Sequence, residues 1–171
     1  MKVKLILMLG FICITALAFG QESNNSWEKL SFLIGNWKGE GSGDPGQGEG
    51  YFSFKFDLDR KILVRTSHSE YPATKDKPKI VHNDLMIIYL DFSGSPSKAI
   101  YFDNEGHVLN YSITYPNNTD IVFTSDAISN VLIFRLTYTK IDDKSVNTKF
   151  EIAQDGLNFV KYIEGKSKRT E

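Results

Sequence analysis

An all-β chain, closed into an antiparallel up-and-down barrel of about ten strands behind one short N-terminal helical turn, is what three observations predict. Past position 34 no helical period survives, and runs rich in Val, Ile, Thr, Tyr and Phe recur at short, even spacing. The runs are separated by turn residues in connections too short for a parallel crossover, so neighbouring strands are antiparallel. No helix of useful length is left to cover a sheet face, and closing the sheet buries one face while leaving no edge. A two-sheet sandwich of the same strands is the alternative.

The chain has 171 residues, and the first twenty read as an address. Lys2 and Lys4 precede an apolar run over 5–19, and Ala18-Phe19-Gly20 is a small-x-small cleavage site. The run is shorter than the roughly 20 residues that span a bilayer, so 1–20 is expected to be a secretory signal peptide that is removed, leaving no membrane insertion. Residues 21–26 form a flexible lead-in and 27–171 a single barrel domain. The expected location is periplasmic or secreted, in a bacterium. Cys13, the single cysteine, leaves with the signal, and the remainder carries 18 basic against 21 acidic residues. The sequons at Asn24, Asn110 and Asn117 would matter only in a eukaryotic secretory pathway.

Ser26 is placed to cap a short helix over 27–34, with Trp27, Leu30, Leu33 and Ile34 on one face and Gly35 stopping it. Strands follow at 36–42, 49–58, 61–70, 80–90, 97–103, 107–115, 120–125, 131–141, 145–154 and 157–168. Alternation sets Phe52, Phe54, Phe56 and Leu58 against Tyr51, Ser53, Lys55 and Asp57. The pair Ile62 and Val64 and the series Leu132, Phe134, Leu136 and Tyr138 alternate similarly. A barrel of ten strands is wide enough for a ligand, since about eight are just filled by side chains. Seven of the 13 glycines lie between 35 and 50; no helix follows to make a phosphate cradle, so a strongly bent first hairpin is expected.

Composition removes several functions. A formal net charge of −1 supplies no basic excess to release counterions from a nucleic acid. With 41% hydrophobic and 24% charged residues the chain is not a disordered one. One cysteine cannot make a disulfide scaffold or a cysteine-rich zinc module, and no nucleophile elbow or phosphate loop is present.

The three histidines supply a constellation. If the hairpin around 70–80 closes symmetrically, His68 faces His82. The next hairpin sets Asp84 beside Asp103, and the turn at 104–106 pairs Asp103 with His107. All these connections lie at one rim, so His68, His82, Asp84, Asp103 and His107 form a polar cluster if they share a face. Such a group could hold a ligand's polar head, bind zinc, or act as a general base with no nucleophile beside it. It could equally be turn residues that satisfy backbone groups. The connection over 71–79 hangs above the same rim, as binding lids do. Arg65 and Arg135 sit mid-strand among apolar residues; each needs an internal Asp or Glu, a ligand carboxylate, or an outward position.

The segment Phe32-Leu33-Ile34-Gly35-Asn36-Trp37-Lys38-Gly39-Glu40-Gly41 resembles the leading strand of the calycin-like barrels that include the nitrobindins. The segments His82-Asn83-Asp84-Leu85-Met86-Ile87-Ile88-Tyr89, Tyr101-Phe102-Asp103-Asn104-Glu105-Gly106-His107 and Phe134-Arg135-Leu136-Thr137-Tyr138 are similar to an uncharacterised bacterial, exported branch distantly related to them. The resemblance covers nearly the whole chain after residue 20 and implies a fold rather than an activity. Nitrobindins hold haem through a histidine near the start of the last strand. The matching segment here, Leu157-Asn158-Phe159-Val160-Lys161-Tyr162-Ile163-Glu164, has none, which leaves Tyr162 as the residue that could ligate ferric haem. Two readings follow: a barrel that binds a small, largely apolar or amphipathic molecule in its interior, or a nitrobindin-like haem or metal protein acting on reactive nitrogen species. A barrel filled by its own side chains, acting through its surface, is a third.

Overall fold

The computed structural model describes residues 26–41, 48–76, 78–129 and 131–171, so the expected signal peptide, the lead-in to residue 25 and the sequon at Asn24 lie outside the described residues. Ten antiparallel strands form a closed barrel in which each pairs with its chain neighbours and the last returns to the first. They are β1 (Gly35–Gly39), β2 (Glu49–Asp57), β3 (Ile62–Tyr71), β4 (Ile80–Tyr89), β5 (Lys98–Asp103), β6 (Val108–Thr114), β7 (Asp120–Ser125), β8 (Ile133–Lys140), β9 (Ser145–Ala153) and β10 (Val160–Thr170). Trp37 opposite Arg169 closes the ring. Among the described residues no helix is long and apolar enough to cross a membrane.

The helical turn is a 3₁₀ helix over Glu28–Leu33 rather than an α-turn, and its capping position is Trp27, with no side-chain cap bond, in place of the expected Ser26. Six residues cannot sustain an α-helix on their own; packing holds them. Leu30 and Leu33 are fully buried, the Trp27 indole donates to the Arg60 carbonyl at 3.1 Å, and the Trp37 indole donates to the Leu33 carbonyl at 2.8 Å. The helix thereby plugs the barrel at the end formed by the turns after β2, β4, β6 and β8. The opposite end, formed by the turns after β1, β3, β5, β7 and β9, carries no such plug among the described residues.

Phe52 and Phe54 point inward as the alternation predicts, whereas Leu58 leaves that face, 65% exposed in a turn where Leu58, Asp59 and Arg60 all adopt left-handed backbone. On β3 the inward residues are Leu63 and Arg65, not Ile62 and Val64: Leu63 is 0% exposed and Arg65 7%. Apolar residues on both sides of Leu63 hide which parity faces the core. Phe52, Phe54, Phe123 and Tyr138 pack ring to ring across the interior at 5.5–6.1 Å, mostly edge to face. Side chains therefore fill much of a barrel whose strand number leaves room for a ligand. Two concavities, of about 500 and about 350 Å³, are flanked by outward residues such as Lys98 and Asn110 in one and Lys55 and Thr66 in the other.

Candidate functional site at the open end

Strand register builds the site. Ser69 pairs with His82 and Ser67 with Asp84 across β3 and β4, and Asp84 pairs with Asp103 across β4 and β5. Asp103 also receives the returning chain: its Oδ1 accepts from the backbone N–H of Glu105 at 3.0 Å and of His107 at 2.9 Å. His82, Asp84, Tyr101 and Asp103 thus alternate onto the inner face near the unplugged end.

His68 does not join them. The hairpin closes one residue away from symmetry, so His68 opposes Asn83 and Ser69 takes the place beside His82. A one-residue slip moves a side chain to the other face. His68 therefore stands on the outer wall, stacked on Tyr51 with ring centroids 4.9 Å apart and within 2.7 Å of Asn83 Oδ1.

The remaining groups form a chain of contacts. His82 Nδ1 lies 3.0 Å from Glu105 Oε1. Its Nε2 lies 3.0 Å from the Tyr101 hydroxyl and 3.6 Å from Asp84 Oδ2. The Tyr101 hydroxyl also donates to Asp103 Oδ2 at 3.3 Å, and His107 Nδ1 sits 2.8 Å from the same oxygen. The Tyr101 hydroxyl has one proton, so when it donates to Asp103 its oxygen accepts from His82 Nε2–H, and when it donates to His82 Nε2 the ring carries its proton on Nδ1 toward Glu105. Burial, then the charges of Asp84 and Asp103, push the Tyr101 hydroxyl far above its ordinary range, so it stays protonated as a donor. Burial also raises Asp103, but the backbone and side-chain donors of His107 and Glu105 outweigh it and hold the carboxyl below its ordinary value. The network can orient a polar ligand group or pass a proton; it contains no nucleophile.

Arg65 points inward and is paired with Asp84, both side chains being at most 8% exposed. Its charge is met internally, so no ligand carboxylate is needed to neutralise it. Arg135 points away from the interior: its Nε donates to Glu151 Oε2 at 2.8 Å and its guanidinium lies 3.7 Å from the Phe159 ring centre. Of the positions open to Arg135, the structure shows the outward one, paired with Glu151.

Facing the polar side across the open end are Phe134, Phe150 and Tyr162. Phe134 and Phe150 are stacked at 5.7 Å, and Tyr162 meets Phe150 edge-on at 6.3 Å. Tyr162 lies where the β9–β10 register shifts, between Lys161 and Ile163, and is 63% exposed. These residues do not fit haem. Aromatic rings occupy the interior beneath Tyr162, and both His82 nitrogens already have partners. Among the described residues no three His, Cys, Asp or Glu side chains are arranged to hold a metal ion.

Reasoning from sequence missed Tyr101, although it lies two residues before Asp103 and so shares its face. It also passed over Glu105, whose approach to His82 depends on the turn. Tyr138 was placed on the core face, but nothing marked its hydroxyl.

No family model matches the chain, and no curated protein matches it in sequence. Among solved structures it is similar to Rv2717c from M. tuberculosis, with a TM-score of 0.55 and 12% identity over 85% of this chain and 98% of that one. The S-type phycobiliprotein lyase CPES from Guillardia theta aligns with a TM-score of 0.48 and 9% identity, over 83% of this chain and 90% of that one. The likeness to Rv2717c is one of fold alone, a closed antiparallel barrel.

Proposed function

We propose that the protein is an exported barrel that binds a small, largely apolar molecule at its open end. The apolar body lies against Phe134, Phe150 and Tyr162, and the polar end turns toward His82 and Tyr101. The observation that supports this reading is the two-sided lining of the one end that the 3₁₀ helix does not close: stacked aromatic rings opposite a hydrogen-bonded network of His82, Asp84, Tyr101 and Asp103. Amphipathic ligands meet such sites with area on one side and orientation on the other. Export is supported by Lys2, Lys4, the apolar run over 5–19 and Ala18-Phe19-Gly20.

The test is native mass spectrometry on protein recovered from the periplasm of a haem-producing bacterial host. A lipid-like adduct that is lost in the His82→Ala variant is the expected result. A haem adduct overturns the reading, and so does a bare mass that persists after fatty acids and haem are added.

A further inference from the structure

Three polar atoms on inward side chains have no hydrogen-bond acceptor among the described residues: Arg65 Nε, Tyr138 Oη and Thr148 Oγ1. Arg65 is 7% exposed and Tyr138 0%. The three belong to one region of the interior. Tyr138 and Thr148 are directly opposed across β8 and β9, and the Arg65 guanidinium carbon lies 5.9 Å from the Tyr138 ring centre. The Tyr138 hydroxyl is close enough to feel the guanidinium charge and to accept a hydrogen bond from it, which together offset part of the effect of burial; its pKa is still pushed up to about 12, so it keeps a proton to donate.

What these atoms lack is an acceptor. An arginine Nε only donates, and both hydroxyls carry a proton to give. The charge, by contrast, is already balanced, because Asp84 is paired with Arg65. A ligand carboxylate would set a second negative charge beside Asp84 against a single arginine, in a site where solvent screens little. The complementary group is therefore an oxygen that accepts hydrogen bonds without carrying charge.

Small residues occupy the neighbouring inward positions toward the open end. Gly39 and Gly50 adjoin each other on β1 and β2, and Ser69 lies beside Gly50. Ser67 stands opposite Asp84, and Gly165 opposite Thr148. Tyr71 lies over Gly48 at the rim, its ring 2.6 Å from where a Cβ there would stand.

We propose that Arg65, Tyr138 and Thr148 form a subsite for an uncharged oxygen acceptor, such as a ketone, ester or quinone carbonyl, carried on an apolar body that enters from the open end. The inference rests on the binding-barrel reading and names the class of ligand. It also accounts for two inward hydroxyls that lack an acceptor among the described residues.

The experiment uses three probes of nearly one shape: 2-acetylnaphthalene, 2-ethylnaphthalene and 2-naphthoate, titrated calorimetrically into the wild-type protein and into Tyr138→Phe and Thr148→Val. The ketone should bind about tenfold more tightly than the hydrocarbon or the carboxylate, the scale of one good buried hydrogen bond. Tyr138→Phe should remove most of that advantage, leave 2-ethylnaphthalene binding as it was, and raise the melting temperature by deleting an unpartnered hydroxyl. Should Tyr138→Phe fail to fold, Thr148→Val reads the same advantage from the neighbouring strand. Equal binding of ketone and hydrocarbon overturns the subsite while leaving the barrel a binder. Preference for 2-naphthoate overturns the charge argument. Binding of none of the three removes the binding-barrel reading, and the subsite with it.

Discussion

The Arg65 guanidinium and the Asp84 carboxylate meet diagonally across β3 and β4, inside the barrel wall, with side-chain exposures of 8% and 5%. Neither charge reaches bulk water, and each is the other's compensation. The pair is also the hinge between core and site, because the second oxygen of Asp84 lies 3.6 Å from His82 Nε2. Asp84→Ala should strand a buried cation and cost about 3–5 kcal/mol of stability, whereas replacing both residues, as in Arg65→Met with Asp84→Leu, should cost far less than the two single changes together. Urea unfolding of the four proteins measures the coupling. Additive losses would show that the two groups do not depend on each other.

The slip at the β3–β4 hairpin gives a second prediction. His68 lies outside and His82 inside, although the two sit at nearly matching distances from the connection between their strands. His68→Ala should leave the adduct seen by native mass spectrometry intact and reduce stability by no more than about 1 kcal/mol, as loss of an exposed cross-strand pair does. His82→Ala should weaken binding. Equal loss of adduct in both variants would mean that the two histidines serve one site after all.

That slip also marks where the sequence stops being legible. Ten strands, their order and closure follow from turn spacing, and two connections behave as symmetric closure predicts: Asp84 opposes Asp103, and across the tight turn that follows, Asp103 N–H donates to the His107 carbonyl. Short turns fix register because few backbone conformations span them. The connection after Tyr71 has as many residues as the one after Tyr89, but the latter is folded around Asp91, whose carboxylate accepts from Ser93, Ser95 and Ser97; over 72–79 a single residue decides which face His68 takes. Parity was hidden on β3 for a different reason, since Ile62, Leu63 and Val64 are all apolar and only Arg65, by its partner Asp84, reveals the inner face. The hydroxyls of Tyr138 and Thr148, which lack an acceptor among the described residues, had no signal at all, because satisfaction is a property of neighbours and not of residue type.

Acid should loosen the outer wall before the core. The Arg135 hydrogen bond, with further help from Lys149, holds the Glu151 carboxyl below its ordinary 4.5. A carboxyl that is more acidic folded than unfolded stabilises the fold fully above the unfolded value and loses that contribution as pH falls through the folded one. Stability should therefore decline as pH drops below about 4.5, and Glu151→Gln should flatten that part of the profile. The urea midpoint followed from pH 6 down to pH 3 checks this; an unchanged slope in Glu151→Gln would assign the acid limb to other carboxylates.

Arg169 ties the last strand to the plug. Its guanidinium donates to the carbonyls of Phe32 and Ile34 and lies 4.4 Å from the Trp37 ring centre. Gly35 makes room for it: the backbone there has φ +128°, and a Cβ would stand 2.6 Å from Arg169 Nη1. Any side chain at position 35 meets both a disfavoured backbone conformation and the arginine, so Gly35→Ala should cost about 1–3 kcal/mol. Arg169→Met keeps the contact with Trp37 but abandons three carbonyls, the short bonds to Phe32 and Ile34 and a longer one of 3.3 Å to Asp143, and should loosen the 3₁₀ helix more than the barrel. Hydrogen exchange separates the two effects. The amides of Leu30 and Ile34, which donate to Trp27 and Ser31, should lose protection in Arg169→Met while those of β4 and β5 keep theirs. Uniform loss across the barrel would show that the plug and the wall open as one unit.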